Sequence, residues 1–373
     1  MKKILFLTGT RADFGKIKSL IQILETHPGF EVFVFVTGMH LQKEYGYTLV
    51  EIERCRLRNI HTFHNHTHES TMDLTLAKTI EGLSAYVKTV GPDMIIVHGD
   101  RVETLAGAIV GSLNNILVSH IEGGELSGTV DELIRHSVSK LSHIHFVSNA
   151  EAMKRLRQMG EMKTSIFTIG SPDIDIMFSD DLPDLLTAKT YYEIAFDKYA
   201  VAMFHPVTTE ADDMAQYARE FVSALANDDH NYVVIFPNND LGSQFIIDAY
   251  EHLGGNERFR VFPSLRFEYF LTLLKNSQFI VGNSSAGIRE APYYGIPIIN
   301  IGTRQQNRAI HADIINTDYD EKSIATALKS IDTHQVKSDR TDFGTGNSAA
   351  LFLESLLHPS IWDINHQKQF RDQ

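Results

Sequence analysis

Cysteine is almost absent from this chain: Cys55 stands alone among 373 residues. No disulfide can therefore form within the chain, and no CxxC pair exists to hold a metal or run redox chemistry. A basic excess is missing as well. Acidic residues outnumber basic ones by 47 to 34, a formal net charge of -13, and that balance argues against nucleic acid or an anionic membrane as partner. No apolar run approaches the length of a membrane span. The opening MKKILFLTG has the basic-then-apolar look of a secretion signal, but Thr8-Gly9 breaks the run too early, and it reads better as a first buried strand. The expected location is the cytoplasm. What is present is an ordinary globular composition, 43% hydrophobic and 22% charged. The length suggests about two domains.

Strand-length apolar runs alternate with helix-period segments, the pattern of parallel sheets covered by helices on both faces. Strands are expected at 3–8, 31–37, 94–98, 116–120, 143–147 and 165–169, with helices such as 14–25, 74–90, 102–113 and 130–141 between them. Gly170-Ser171-Pro172 interrupts the pattern, and 179–198 reads as a polar linker. A second set of strands follows at 199–204, 232–236, 259–261, 278–281 and 298–301. The expected fold class is α/β, with two doubly wound, Rossmann-like units at 1–175 and 176–357 facing a cleft. A terminal helix over 358–373 is expected to pack back on the first unit. Ligands of such sheets sit beyond the carboxyl ends of the strands, so residues at strand ends carry the functional argument.

The segment from Val281 to Arg308 is the richest. Gly282-Asn283-Ser284-Ser285 ends a strand, and Ala286-Gly287-Ile288-Arg289-Glu290 reads as the first turn of a helix. Small residues there let backbone N–H groups approach a diphosphate at a helix N-terminus. Glu290 is placed to accept from ribose hydroxyls, while Arg304 and Arg308 follow the next strand with guanidinium forks suited to phosphate. Four other strand ends matter. Gly9-Thr10-Arg11-Ala12-Asp13-Phe14-Gly15-Lys16 offers Arg11 and Lys16 to an anion, although Asp13 also fits a helix cap. His98-Gly99-Asp100-Arg101 groups His98, Asp100 and Arg101 on one turn, with an N-cap as the alternative for Asp100. His120-Ile121-Glu122-Gly123-Gly124-Glu125 supplies Glu122, which with Asp100 makes a carboxylate pair suited to acid/base work; Glu125 reads as a solvated loop residue. The glycine pair reads as room for a ligand beside the backbone. At His205-Pro206 the proline holds the backbone extended and aims the imidazole out of the sheet. The histidines of HTFHNHTHES invite a metal, but no register collects three of them on one face; a cleft-edge loop is the preferred reading.

Taken together, GTRADFGK, VHGDR, HIEGGELSGTVDELIRHSVSKLSH, FHPVT, VGNSSAGIREAPYYG and INIGTRQQNR resemble the hydrolysing UDP-N-acetylglucosamine 2-epimerases. That family includes bacterial enzymes of sialic acid synthesis and the epimerase half of a bifunctional mammalian enzyme. The motifs run in family order from Gly9 to Arg308. Non-hydrolysing relatives resemble GTRPE where this chain has Gly9-Thr10-Arg11-Ala12-Asp13. The resemblance implies the two-domain GT-B fold of nucleotide-sugar glycosyltransferases. It also implies conversion of UDP-N-acetylglucosamine and water to N-acetylmannosamine and UDP, by anti elimination to 2-acetamidoglucal and hydration.

By the same resemblance, Asp100 and Glu122 serve the sugar, with Asp175 and Asp13 as further catalytic carboxylates. His205, Arg11, Ser284, Ser285 and Arg304 stabilise the departing diphosphate and Glu290 holds the ribose, beside Lys16, His98, Arg101 and Gly287. No metal or other cofactor is implied. The expected partner is the UDP-sugar alone, with no nucleic acid and no membrane, in a homodimer or homotetramer for which 74–90 is a candidate interface. The same resemblance leaves open UDP-N,N'-diacetylbacillosamine as substrate. A GT-B glycosyltransferase and a non-catalytic nucleotide-sugar sensor are the readings from other classes.

Overall fold

A computed structural model of the protein describes residues 1–66, 71–127, 130–305, 314–331, 333–334, 336 and 342–371. The chain divides into two compact units, one comprising Met1–Glu125, Asp131–Ser179 and Asp342–Gln373, the other Leu126–Val130 and Asp180–Thr341. The first holds β1 (Lys2–Thr8), β2 (Phe30–Val36), β3 (Ile60–Thr62), β4 (Met94–His98), β5 (Leu117–Ile121), β6 (Ile144–Val147) and β7 (Ile166–Thr168), in the order β3-β2-β1-β4-β5-β6-β7. The second holds β8 (Ala200–Met203), β9 (Tyr232–Ile235), β10 (Phe259–Phe262), β11 (Ile280–Gly282), β12 (Ile298–Ile301) and β13 (Ile314–Thr317), ordered β10-β9-β8-β11-β12-β13. Every pairing is parallel. The expected α/β class, with two doubly wound units, is the observed one. No helix among the described residues is long and apolar enough to cross a membrane.

The strand period of two explains the layers. Along β1, Ile4 and Phe6 face one way, into a core with Phe14, Ile17, Leu20 and Leu24 of the helix Arg11–Glu25. Leu5 and Leu7 face the other way, onto Leu83, Val87 and Val102. Both faces are covered, so the strand reads as a continuous apolar run. In each unit the strand order reverses beside the first strand, between β1 and β4 and between β8 and β11. Ligands of doubly wound sheets gather at such reversals.

The sequence reading missed β3 and β13. Both are edge strands, of three and four residues, too short to show a period. The tail needs correction as well. The helix that returns to the first unit is Ser348–Leu357, not 358–373, and it brings Phe352 and Leu356 into the core against Ile17 and Leu20. Beyond it the described residues hold the short turn Pro359–Ile361 rather than a helix, and the tail does pack back on the first unit, with Ile361 in its core and Lys368 Nζ donating to Glu161 Oε2 at 2.6 Å. The first unit runs on to Ser179 rather than ending at 175, and the expected linker contains the helix Leu185–Tyr191.

Candidate active site

In the first unit, the loops after β1, β4 and β5 bring charged side chains together. Lys16, on the first helix, is buried, and its Nζ lies 3.6 Å from Glu122 Oε1 and 3.5 Å from Asp173 Oδ2. His98 Nε2 sits 3.4 Å from the same Glu122 oxygen. Arg135, 2% exposed, donates through Nη1 to the Glu122 carbonyl at 2.7 Å and pairs with Glu122 Oε2 at 3.6 Å. Its Nη2 meets the Asp100 carboxylate. Lys16 and Arg135 thus face three carboxylates, mostly out of water, where removing one partner of a pair is costly. Asp100 keeps the most exposure, 21% of its side chain, against 6% for Glu122. Such an arrangement can hold one carboxylate as base while another works as acid.

Backbone geometry aims these groups. Glu122 follows β5 with φ +67°, a left-handed conformation that few non-glycine residues adopt. It persists because the backbone N–H donates to Phe146 (3.1 Å) and the carbonyl accepts from Arg135. Asp100 does not cap the following helix, as the alternative reading had it: Arg101 stands at the N-cap of Val102–Leu113, with no side-chain cap bond. Arg101 Nε lies 3.9 Å from Glu103, a buried carboxylate beneath Gly9 and Gly38 that accepts from Asn65 at 3.3 Å.

Several of the expected site residues have structural partners. Asp13 is the capping-box residue of Arg11–Glu25: its carboxylate accepts from Gly9 N and Thr10 N (3.0 and 3.2 Å) and from Thr8 Oγ1. Burial raises its pKa, against the lowering effect of those Thr8 and Gly9 hydrogen bonds. Asp175, close enough to feel the Asp173 charge, caps Ser348–Leu357, accepting from Ser348 N at 2.8 Å and Ala349 N at 2.7 Å. The carboxylate that joins Lys16 is Asp173, fully buried, two residues earlier. On a helix, residues two apart point nearly opposite ways, and local sequence does not tell which one faces inward. Lys16 is engaged with acidic side chains, and Arg11 lies 3.7 Å from Glu51. Glu125, expected in solvent, is buried and accepts from Ser148 Oγ at 2.8 Å. Packing also requires glycine here: a Cβ at Gly124 would lie 2.3 Å from the Ala152 carbonyl oxygen. His61 stacks on Tyr86 at 4.1 Å, and His68 lies outside the described residues. Among the described residues no three metal-ligating side chains converge.

The second unit builds its loops around Asn283, at the end of β11. Its Nδ2 donates to the His205 carbonyl (2.8 Å) and its Oδ1 accepts from His205 N (2.6 Å). Its own carbonyl accepts from Arg304 Nη1 (3.3 Å) and from buried Gln305 (2.9 Å). His205 Nδ1 accepts from Asn238 N at 3.1 Å, which assigns the ring proton to Nε2. His205, Ser284, Ser285 and Arg304 are thereby brought to one end of one sheet. Ser284 and Ser285 are half-buried and Glu290 is buried. The expected helix is a single turn, Ala286–Arg289, followed by the 3-10 turn Ala291–Tyr294, so its dipole is smaller than a full helix supplies. Gly287 seats that turn on β12, where a Cβ would lie 3.2 Å from Ile298. Arg308 lies outside the described residues. Asn283 and Gln305 stood in the quoted motifs but had no role; their function is tertiary, and a lone amide gives no local signal.

Residues 22–357 match the family described as UDP-N-acetylglucosamine 2-epimerase. The UDP-N-acetylglucosamine 2-epimerase of Neisseria meningitidis serogroup B is 48% identical over 375 residues, covering 100% of this chain and 99% of that protein. The UDP-N,N'-diacetylbacillosamine 2-epimerase (hydrolyzing) of Legionella pneumophila is 32% identical over 336 residues, with 88% of each covered. Among solved structures, Methanocaldococcus jannaschii UDP-GlcNAc 2-epimerase in complex with UDP-GlcNAc and UDP superposes with a TM-score of 0.79 at 19% identity, over 95% of this chain and 99% of that one. At that identity the likeness carries the fold, which is the GT-B-like two-domain fold expected from the sequence. The chain belongs to the UDP-N-acetylglucosamine 2-epimerase family.

Proposed function

We propose that this protein is a hydrolysing UDP-N-acetylglucosamine 2-epimerase, releasing N-acetylmannosamine and UDP as the first step of sialic acid synthesis. The observation that carries the proposal is the buried cluster of Asp100, Glu122, Lys16, Arg135 and Asp173 at the ends of β4 and β5, in a chain of this family. Elimination across C1 and C2 requires a base for a weakly acidic C2 proton while UDP leaves C1. Carboxylates held among cations can take up and return that proton, and stabilise positive charge on the ring oxygen. Asp100 and Glu122 are assigned to these steps. His205 Nε2–H, Arg304, Ser284 and Ser285 are assigned to the diphosphate, and Glu290 to the ribose. The hydrolysing outcome is supported by Gly9-Thr10-Arg11-Ala12-Asp13, in place of GTRPE, and by the Legionella relative. That relative also favours a second reading, the same reaction on UDP-N,N'-diacetylbacillosamine. The mechanism draws on no metal, because guanidinium and imidazole groups meet the phosphate charge. A homodimer or homotetramer is proposed on the family resemblance.

The test is incubation with UDP-N-acetylglucosamine alone in oxygen-18 water. Free N-acetylmannosamine carrying the label at C1, with UDP, is the expected product. UDP-N-acetylmannosamine as end product makes the enzyme non-hydrolysing. Turnover only of the diacetylbacillosamine nucleotide moves the assignment to the second reading, and turnover of neither overturns both.

A further inference from the structure

The second unit carries a polar clamp that the proposed chemistry does not use. Glu210 ends the 3-10 turn Thr208–Glu210, five residues after His205. Its Oε1 accepts from Thr303 Oγ1 at 2.5 Å, and its Oε2 accepts from Tyr319 Oη at 2.8 Å. Tyr319 Oη in turn accepts from Thr303 N at 3.2 Å, closing a ring of three hydrogen bonds. The ring of Tyr319 is fixed by stacking on Tyr217, with centroids 3.8 Å apart and planes 5° apart, and by the edge of Phe204. Gly302, at φ +68°, lays the loop directly on it: a Cβ there would sit 2.0 Å from Tyr319 Cζ. Burial pushes the Tyr319 hydroxyl up to about 12, so at neutral pH it remains a donor to the carboxylate. Thr303 immediately precedes Arg304, whose guanidinium reaches back to the Asn283 carbonyl.

We infer that Glu210 and Tyr319 are positioning residues for the diphosphate contact: by gripping Thr303 they fix Arg304 relative to the loop that carries His205. This rests on the assignment of Arg304 to the diphosphate above. The test is UDP titration by calorimetry, with thermal melts, on Tyr319→Phe, Thr303→Val, Arg304→Ala and the double variants that combine the first two with the third. Tyr319→Phe keeps the stack and removes only the hydroxyl; Thr303→Val keeps the backbone N–H and removes the bond to Glu210. Each is expected to weaken UDP roughly three- to tenfold, the scale of one lost hydrogen bond. Neither is expected to change UDP affinity further once Arg304 is alanine, whereas any effect on melting temperature persists in both backgrounds. The coupling is what a purely structural role would not produce. Unchanged affinity in both single variants, or an equal loss with and without Arg304, overturns the inference. Unchanged affinity in Arg304→Ala itself overturns the underlying assignment instead.

Discussion

The reversal points of the two sheets are built from different materials. At the end of β4 and β5 the first unit buries a lattice of charge, with Lys16 and Arg135 set among Asp100, Glu122 and Asp173. At the end of β8 and β11 the bonds run to backbone instead: an asparagine side chain braces a histidine backbone, and an amide and a guanidinium meet a carbonyl. The contrast fits a division of labour. Under the proposed function, proton transfer needs carboxylates whose ionisation answers to nearby charge, and the close, mostly buried charges of the first unit supply that. Holding a diphosphate needs donors already pointed outward, with little net charge of opposite sign beside them.

The sharpest way to break the comparison is to neutralise the first site. Asp100→Asn and Glu122→Gln are each expected to lower kcat by about a hundredfold or more, the usual scale for acid/base groups, while calorimetry shows near-unchanged UDP affinity. A variant that releases N-acetylmannosamine at wild-type rate takes its carboxylate out of the chemistry. If both variants instead lost UDP, the charge lattice would belong to the diphosphate and the division of labour would be wrong.

A smaller effect separates Asp175 from the cluster next to it. Asp175→Ala removes the cap of Ser348–Leu357 and is expected to cost about 0.5–2 kcal/mol of stability, read from denaturant unfolding, with kcat of the folded enzyme unchanged. A large fall in kcat at full folding would restore it to the active site.

The mildest test is pH. Burial holds His40 and His120 down at about 3, with the Arg11 charge adding to the effect on His40. Unfolded histidine takes up its proton near 6.5, whereas these folded ones do so only near 3. Their contribution to stability is therefore complete above about pH 6.5 and is lost progressively as pH falls toward 3. Histidines that burial holds below their ordinary value, His40, His61, His66, His120, His143 and His145, belong to the first unit. Hydrogen exchange near pH 5 should show first-unit amides losing protection before those of the second. His40→Gln should flatten the fall of melting temperature between about pH 7.5 and about pH 5. Earlier loss in the second unit contradicts this.

The sequence by itself determined the fold class and where to look. Apolar runs such as 3–8 and 94–98 and the helical segments between them are local patterns, and strand ends inherit functional importance from topology alone. Asp100, Glu122, His205, Ser285 and Arg304 were singled out because each stands at such an end, in a motif whose order matches a family. Tertiary structure decided direction and company. Asp173 rather than Asp175 faces Lys16 because the helix Pro172–Met177 turns one residue inward and the other toward the returning helix. Asp13 is drawn into a cap by the N–H groups its own loop leaves open. Arg135 reaches Asp100 across 35 positions, and Asn283 reaches His205 across 78. Such pairings are invisible to a local reading, because a side chain's partner is fixed only once the sheet brings distant loops to the same end.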